Sequence, residues 1–369
     1  MPRYPDHLSG EGPVNPFPGI KALERRIGRE IPHQLGSNEG LDMPHRALRE
    51  HFGDALAERA YSYGDAEALG VRTRLSAQLG TPLDHLLVDA GADSLIALAL
   101  RTTCELSATV VATAGTYPTF GYFAKGQGCR LVEPGYHEGP GVLAPDLVAL
   151  AAAAHQENAR LVYLANPDNP SGHLHNDSAV LKLREALPDT CWLLLDEAYA
   201  DFRDDAGSEF SANALPGVIR LRTLSKAHGL AGLRIGYAIA EPSVLAIMMK
   251  VRIHYAVSSL ALAAAEVVLD HPEEVHQHVA DVKARREQLA EHFRALGADV
   301  LPSATNFIGI RLPNAELAAT VHQQLLTEGV LVARLAHPEL ANVIRITAVA
   351  DALEPGRLAI LEQAIKAHA

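Results

Sequence analysis

The sequence predicts an α/β fold: a largely parallel sheet with helices on both faces, followed by a smaller α+β unit. From about residue 60 to 245, short apolar runs alternate with longer helical patterns, the signature of strand–helix–strand units. Beyond residue 245 the pattern changes to one long amphipathic helix and two strand-like runs around another helix. Hydrophobic residues make up 48% and charged residues 21%, the balance of a chain that buries a core. At 369 residues there is room for one large and one smaller domain.

Along the chain, "HLLVDAG" (85–91) reads as a strand and "DSLIALALRTTC" (93–104) as the buried helix after it. "SATVVATAG" and "CRLVEPGY" continue the alternation. Four further strands are "ARLVYLANP" (159–167), "CWLLLDEAY" (191–199), "GVIRLRTLS" (217–225) and "IGYAIA" (235–240). Between them "DSAVLKLREAL" (177–187) reads as a helix with Asp177 as N-cap. "PEEVHQHVADVKARREQLAEHFRALG" (272–297) is a long amphipathic helix closed by Gly297. "TNFIGIRL" and "NVIRITAV" are strands on either side of the helix "NAELAATVHQQLLTEG".

Charge and composition exclude several functions. The net charge is -12 with both signs interspersed, which argues against nucleic acid, because phosphate backbones need a basic face. No run approaches about 18 apolar residues, so no membrane span is expected. The Pro- and Gly-rich N-terminus has no apolar core of a secretory signal, and a cytoplasmic location is the expectation. Cys104, Cys129 and Cys191 are isolated and read as reduced structural thiols. No HExxH occurs, His173 and His175 lack a carboxylate at ligand spacing, and His276 and His278 point to different helix faces. No metal is expected.

In open parallel sheets ligands bind at the carboxyl ends of the strands, so the polar residues just past each apolar run matter. Ala92, Asp93 and Ser94 open the first helix. They form either a phosphate site of free N–H groups and a hydroxyl, or simply a cap. "NPDNPSG" (166–172), with two Asn and two Pro, is either a rigid turn that aims polar side chains or a plain loop. Asp196 ends a strand that should be fully buried, a costly place for a carboxylate without a cation or strong donor. Tyr199 lies three residues on, and "TLSK" supplies Thr223, Ser225 and Lys226. A lysine amine there is a nucleophile towards carbonyl carbon. A carboxylate that stabilises a protonated pyridine nitrogen completes an electron sink. Phosphate cradle, carboxylate, phenol and lysine on one sheet edge are what pyridoxal 5'-phosphate requires.

"NPDNPSG", "LLLDEAYADF" and "RTLSKAHGLAGLRIGY", in this order and spacing, resemble the fold-type I aminotransferases of the class I/II superfamily, most nearly the histidinol-phosphate aminotransferase branch. The likeness extends to "IPHQLGSNEG", "AYSYGDAEALGVRTRLSAQLG", "VDAGADSLI", "AGTYPTF" and "NVIRITAV", nearly the whole chain. It implies a mainly parallel seven-stranded sheet flanked by helices and a smaller C-terminal α+β domain. The expected divisions are an N-terminal segment (1–40), a large cofactor-binding domain (41–245) and the small domain (246–369).

The resemblance also implies roles. Lys226 would join the cofactor as a Schiff base and shuttle a proton. Asp196 would pair with the pyridinium nitrogen, and Tyr199 and Asn169 with the cofactor's O3'. Ala92, Asp93, Ser94, Thr223, Ser225 and Arg234 would hold the phosphate, with Tyr117 over the ring. Tyr61, or Tyr63 in the competing alignment of "YSY", would reach a phosphate across a homodimer interface. Arg345 would clamp the substrate carboxylate, the task of a bidentate guanidinium, with Asn38 and Asn169 on the substrate side. The partners implied are an amino donor and a 2-oxo acid, with 2-oxoglutarate as acceptor. Donors other than histidinol phosphate, aromatic or specialised amino acids, are alternatives, as is a decarboxylase of the threonine-phosphate decarboxylase type. A sensor domain of a transcription regulator would need a winged helix before it, and only about 40 residues precede the matching part. Against the branch, "SNEGLDMP" stands for "NENPYG", "RITAV" for "RITVG" and "GVLVAR" for "GVLVR". Arg334 thus sits one place late, which on a strand would turn it to the other face.

Overall fold

Seven strands form the main sheet in the computed structural model, which describes residues 24, 26–36, 38, 42–43, 46–52, 63–204 and 214–366. They are β1 (Leu86–Asp89), β2 (Thr109–Ala112), β3 (Arg130–Val132), β4 (Leu161–Ala165), β5 (Trp192–Asp196), β6 (Val218–Thr223) and β7 (Gly236–Ile239). The spatial order is β1-β7-β6-β5-β4-β2-β3. From β6 to β3 every pair is parallel, whereas β7 runs antiparallel to both β1 and β6. Every residue of β1, β2 and β4 is buried, which is why these strands read as unbroken apolar runs rather than alternating ones.

Helices cover the sheet. Gly91–Thr103 (α1) buries Leu95, Ile96, Leu98, Ala99 and Leu100, and Pro118–Gly126 (α2) packs against it. Helix α1 begins at Gly91, two residues earlier than the apolar pattern suggests, because Gly91 adopts a φ of 84° that turns the chain directly out of β1. Asp177–Ala186 (α3) is capped by Asn176, not by Asp177: the Asn176 side chain accepts the Ala179 N–H at 2.9 Å. Asp177 instead pairs with buried Arg203 at 2.8 Å.

Pro242–Val251 (α4) buries Val244, Leu245 and Met248 in the same core as α1 and β7, so residue 245 lies inside this helix. Pro272–Ala295 (α5) then leads to the second sheet: β8 (Asp299–Leu301), β9 (Phe307–Arg311), β10 (Ala333–Arg334) and β11 (Val343–Thr347). Its order is β8-β9-β11-β10, antiparallel throughout, with Ala315–Thr327 (α6) packed on it. His33–Gln34 pairs in parallel with Val330–Leu331, and the Thr347 N–H donates to Leu35 O at 2.7 Å, which ties the N-terminal segment to this sheet. All three cysteines are buried and unpaired in disulfides. Among the described residues no three metal-ligating side chains gather, and no helix is long and apolar enough to cross a membrane.

Candidate active site

The carboxyl end of β5 delivers Asp196 and Tyr199, that of β6 delivers Lys226, and the turn after β4 carries Asn169. Asp196 closes β5 and is buried at 4% exposure. Its carboxylate accepts the Tyr163 hydroxyl at 2.8 Å and the Ala198 N–H at 3.0 Å, and no cation among the described residues pairs with it. Burial pushes its carboxyl up to about 6, and the Tyr163 hydrogen bond works against that rise. Tyr199 follows the strand; its oxygen accepts Asn38 Nδ2 at 2.9 Å, and the Lys226 Nζ stands 5.8 Å from its ring centroid. Lys226 is half-buried just past β6, with no ion pair to any described residue.

The first turn of α1, Arg234 and the β6 turn form a second cluster. Thr223 Oγ1 donates to Ser225 Oγ at 2.9 Å, and Arg234 Nη1 reaches the same oxygen at 3.4 Å. Arg234 Nη2 lies 3.6 Å from Asp93, whose other oxygen accepts the Tyr117 hydroxyl at 2.9 Å. Burial, and then the Asp93 charge, push the Tyr117 phenol far up. A Cβ on Gly91 would come within 2.8 Å of Arg234 Nη2, so glycine there lets the guanidinium lie against the helix entrance. Ala92 sits against Gly236, where an added Cβ would stand 3.2 Å from the Ala92 nitrogen. The Ser94 hydroxyl points back to Asp89 at 2.7 Å, leaving the backbone N–H groups of the first turn as the outward donors.

Arg345 enters from β11. Its Nη1 donates to Asn169 Oδ1 and its Nη2 to Gly36 O at 2.9 Å, while Nε has no partner. The guanidinium lies 5.0 Å from the Phe307 ring centroid, and Phe307 meets Tyr199 edge-on at 5.5 Å. Desolvation lowers its proton affinity, the mark of a buried cation without an anion. Asn38, with φ 55°, is held at both ends of its amide: Nδ2 donates to Tyr199, and Oδ1 accepts Thr347 Oγ1 at 2.9 Å. Tyr61 lies outside the described residues. Tyr63 is 83% exposed and stacks on Tyr255 at 4.8 Å. On β10, Ala333 pairs with Arg345 and Arg334 with Ile344, so Ala333 shares the face of Arg345 and Arg334 turns away and is exposed.

Three polar residues of the site region escaped the sequence reading. Tyr163 is a fully buried tyrosine within an apolar strand, and such a hydroxyl needs a partner; that signal was present, though not the identity of the partner. Asp168, also fully buried, accepts Ser171 Oγ at 2.6 Å, Tyr136 at 2.9 Å and Thr116 at 3.1 Å, which braces the turn that carries Asn169. Arg252 binds Asp89 at 2.8 Å across two elements.

These residues fit pyridoxal phosphate. A buried carboxylate without a counterion suits a protonated pyridine nitrogen, a helix entrance with Arg234 beside it suits a phosphate, and a half-buried lysine stands next to the tyrosine between them. Comparison with known proteins agrees. The family model for class I and II aminotransferases matches residues 31–359. The histidinol-phosphate aminotransferase of Anaeromyxobacter sp. (strain Fw109-5) is 32% identical over 94% of this chain and 94% of its own length. The aromatic amino acid aminotransferase of Nocardia farcinica is 34% identical over 87% of this chain and 88% of its own. The structure of the histidinol-phosphate aminotransferase from Sinorhizobium meliloti in complex with pyridoxal-5'-phosphate superposes with a TM-score of 0.91 at 33% identity, covering 100% of this chain and 98% of that one.

Proposed function

Because the chain belongs to the class I and II aminotransferases, which depend on pyridoxal phosphate, we propose that it moves the amino group of histidinol phosphate to 2-oxoglutarate. The observation that carries the chemistry is a pair of buried charges without counterions among the described residues. These are Asp196 and Arg345, with Tyr199 and Lys226 beside them. When bound, the cofactor supplies an electron sink for charge left on the substrate α-carbon.

Asp196 would hold the proton at the ring nitrogen, kept in register by Tyr163 and the Ala198 N–H. Tyr199 and Asn169 would bond O3', and Tyr117 would offer an aromatic face. Ala92, Asp93 and Ser94, with Thr223, Ser225 and Arg234, would hold the phosphate, joined by Tyr61 of a second protomer in a homodimer. Lys226 Nζ would take the proton from the substrate α-carbon and deliver it to the far end of the conjugated system, a general acid–base role worth about 10²–10⁴ in rate. Arg345, its Nε free, would receive the acceptor's carboxylate, and Asn38 would line the substrate side while it steadies Tyr199. Both substrates are small and polar, in keeping with a cytoplasmic setting.

One observation favours a second reading, an aromatic or other amino acid as donor. The face beside Arg345 carries Ala333 rather than a cation, so a phosphate-bearing side chain would find one guanidinium fewer. Glutamate formation from 2-oxoglutarate with a panel of donors separates the two. Under the first reading histidinol phosphate has the highest kcat/KM. If it is inactive while phenylalanine or tyrosine reacts, the donor assignment fails and the transaminase assignment stands. Carbon dioxide release without glutamate would overturn both in favour of decarboxylation.

A further inference from the structure

We propose that the buried Arg252–Asp89 pair is a charge-neutralised anchor that positions α1 to hold the cofactor's phosphate, an inference that rests on the reading of the α1 entrance as the phosphate site. Asp89 is the last residue of β1 and is 2% exposed. One carboxylate oxygen accepts the Ala90 N–H at 2.6 Å and the Ser94 hydroxyl at 2.7 Å, spanning the turn into the helix. These two bonds fix the angle at which the first turn of α1 leaves the strand, and hence where its free N–H groups aim.

The same carboxylate has a drawback. A negative charge at the entrance of a helix favours the fold but competes with any phosphate meant for those N–H groups. Arg252 removes that conflict. It stands just past α4, donates Nε to the second Asp89 oxygen at 2.8 Å, and spends its remaining groups on backbone carbonyls, Val88 O at 2.8 Å and Ala66 O at 2.6 Å. Both side chains are almost fully buried, so the pair is weakly screened and either partner left alone exerts its full charge. Arg252 is therefore a positioning residue: it reaches the phosphate site through Asp89 and α1.

The test compares pyridoxal phosphate with pyridoxal, which lacks only the phosphate. Each full-length variant is stripped of cofactor and titrated with both, following the fluorescence of Trp192, the single tryptophan. Arg252→Gln keeps hydrogen-bonding capacity but leaves the Asp89 charge exposed to the site. It should weaken pyridoxal phosphate about tenfold while pyridoxal changes by less than about twofold. Adding Asp89→Asn to that variant should restore most of the loss. Asp89→Asn alone leaves the cation and should move the ratio of the two dissociation constants in the opposite direction, a sign that can be read even if Arg252→Gln does not fold. Equal losses for both ligands, or a double variant no better than Arg252→Gln, would overturn the proposal and leave only a structural clamp. If the wild-type chain itself binds pyridoxal phosphate no better than pyridoxal, the phosphate site is wrong at the earlier step.

Discussion

Asp196 is held charged against its surroundings, and that has a measurable sign. Its carboxyl is raised by burial to about 6 in the folded chain, against an ordinary value near 3.8. The folded chain therefore binds an extra proton between those values. Any stability tied to that proton is fully present below about pH 4 and is lost as pH rises through about 6. In cofactor-free protein, Asp196→Asn should then be more stable than wild type at pH 7.5, by up to about 3 kcal/mol, with the gap closing by pH 4. Urea unfolding at the two pH values measures this; a constant difference across the range would show that burial is not what raises the group. In the role proposed for Asp196, the same variant should lose most transaminase activity, since a neutral amide would not hold the proton on the ring nitrogen. If Lys226 has its proposed role, Lys226→Ala should lower glutamate formation by about 10²–10⁴, with quenched-flow and steady-state rates falling together, because the proton at the α-carbon would lose its acceptor. Both residues could be read from the sequence, since a carboxylate closing a buried strand and a lysine just past the next one demand a reason. For Tyr163 only the need of a partner could be read, because the partner itself lies on the neighbouring strand, 33 positions away in sequence.

At the scale of elements, register decides what the sequence leaves open. The order of strands and helices was legible because fully buried parallel strands are continuous apolar runs. The boundaries were less so: Asn176 rather than Asp177 caps α3, since either side chain could serve and only the one at the non-helical position can accept the N–H three residues on. Strand β10 is the clearest case. A one-residue offset in "GVLVAR" predicts the opposite face for its arginine, and the pairing of Ala333 with Arg345 gives that result. Arg334→Ala should accordingly leave kcat/KM for every donor within about twofold, as surface substitutions usually do. Ala333→Arg should instead improve a phosphate-bearing donor relative to phenylalanine by about tenfold, the worth of one added charge-assisted contact. Competition assays with the two donors in one mixture read the ratio directly. An unchanged ratio would mean that the face of β10 does not meet the donor's side chain.

For the whole molecule, the proposed homodimer needs a face to bury, and the exposed apolar surface offers a candidate. Isolated apolar residues on a surface need no explanation, but Tyr63, Ile253 and Tyr255 lie together at 83%, 64% and 50% exposure, with Tyr63 stacked on Tyr255. Ile247, Met249 and Val251 are also exposed on α4. This patch adjoins the segment that Arg252 ties to β1, because Arg252 bonds both Ala66 O and Val88 O. The role proposed for Tyr61 would require such an interface to carry this segment of one protomer to the phosphate site of the other. Sequence alone could name Tyr63 but not the patch, since Tyr255 is far away along the chain and meets it only through folding. The wild-type chain should sediment at twice its 39.5 kDa mass. Ile253→Asp, which sets a charge at the centre of a face that would otherwise be desolvated, should shift it towards monomer at micromolar concentration. If Tyr61 does serve the partner's site, that monomer should also hold pyridoxal phosphate more weakly, and raising the protein concentration should recover affinity and dimer in parallel. Affinity that stays constant while the dimer dissociates would confine the phosphate site to a single protomer.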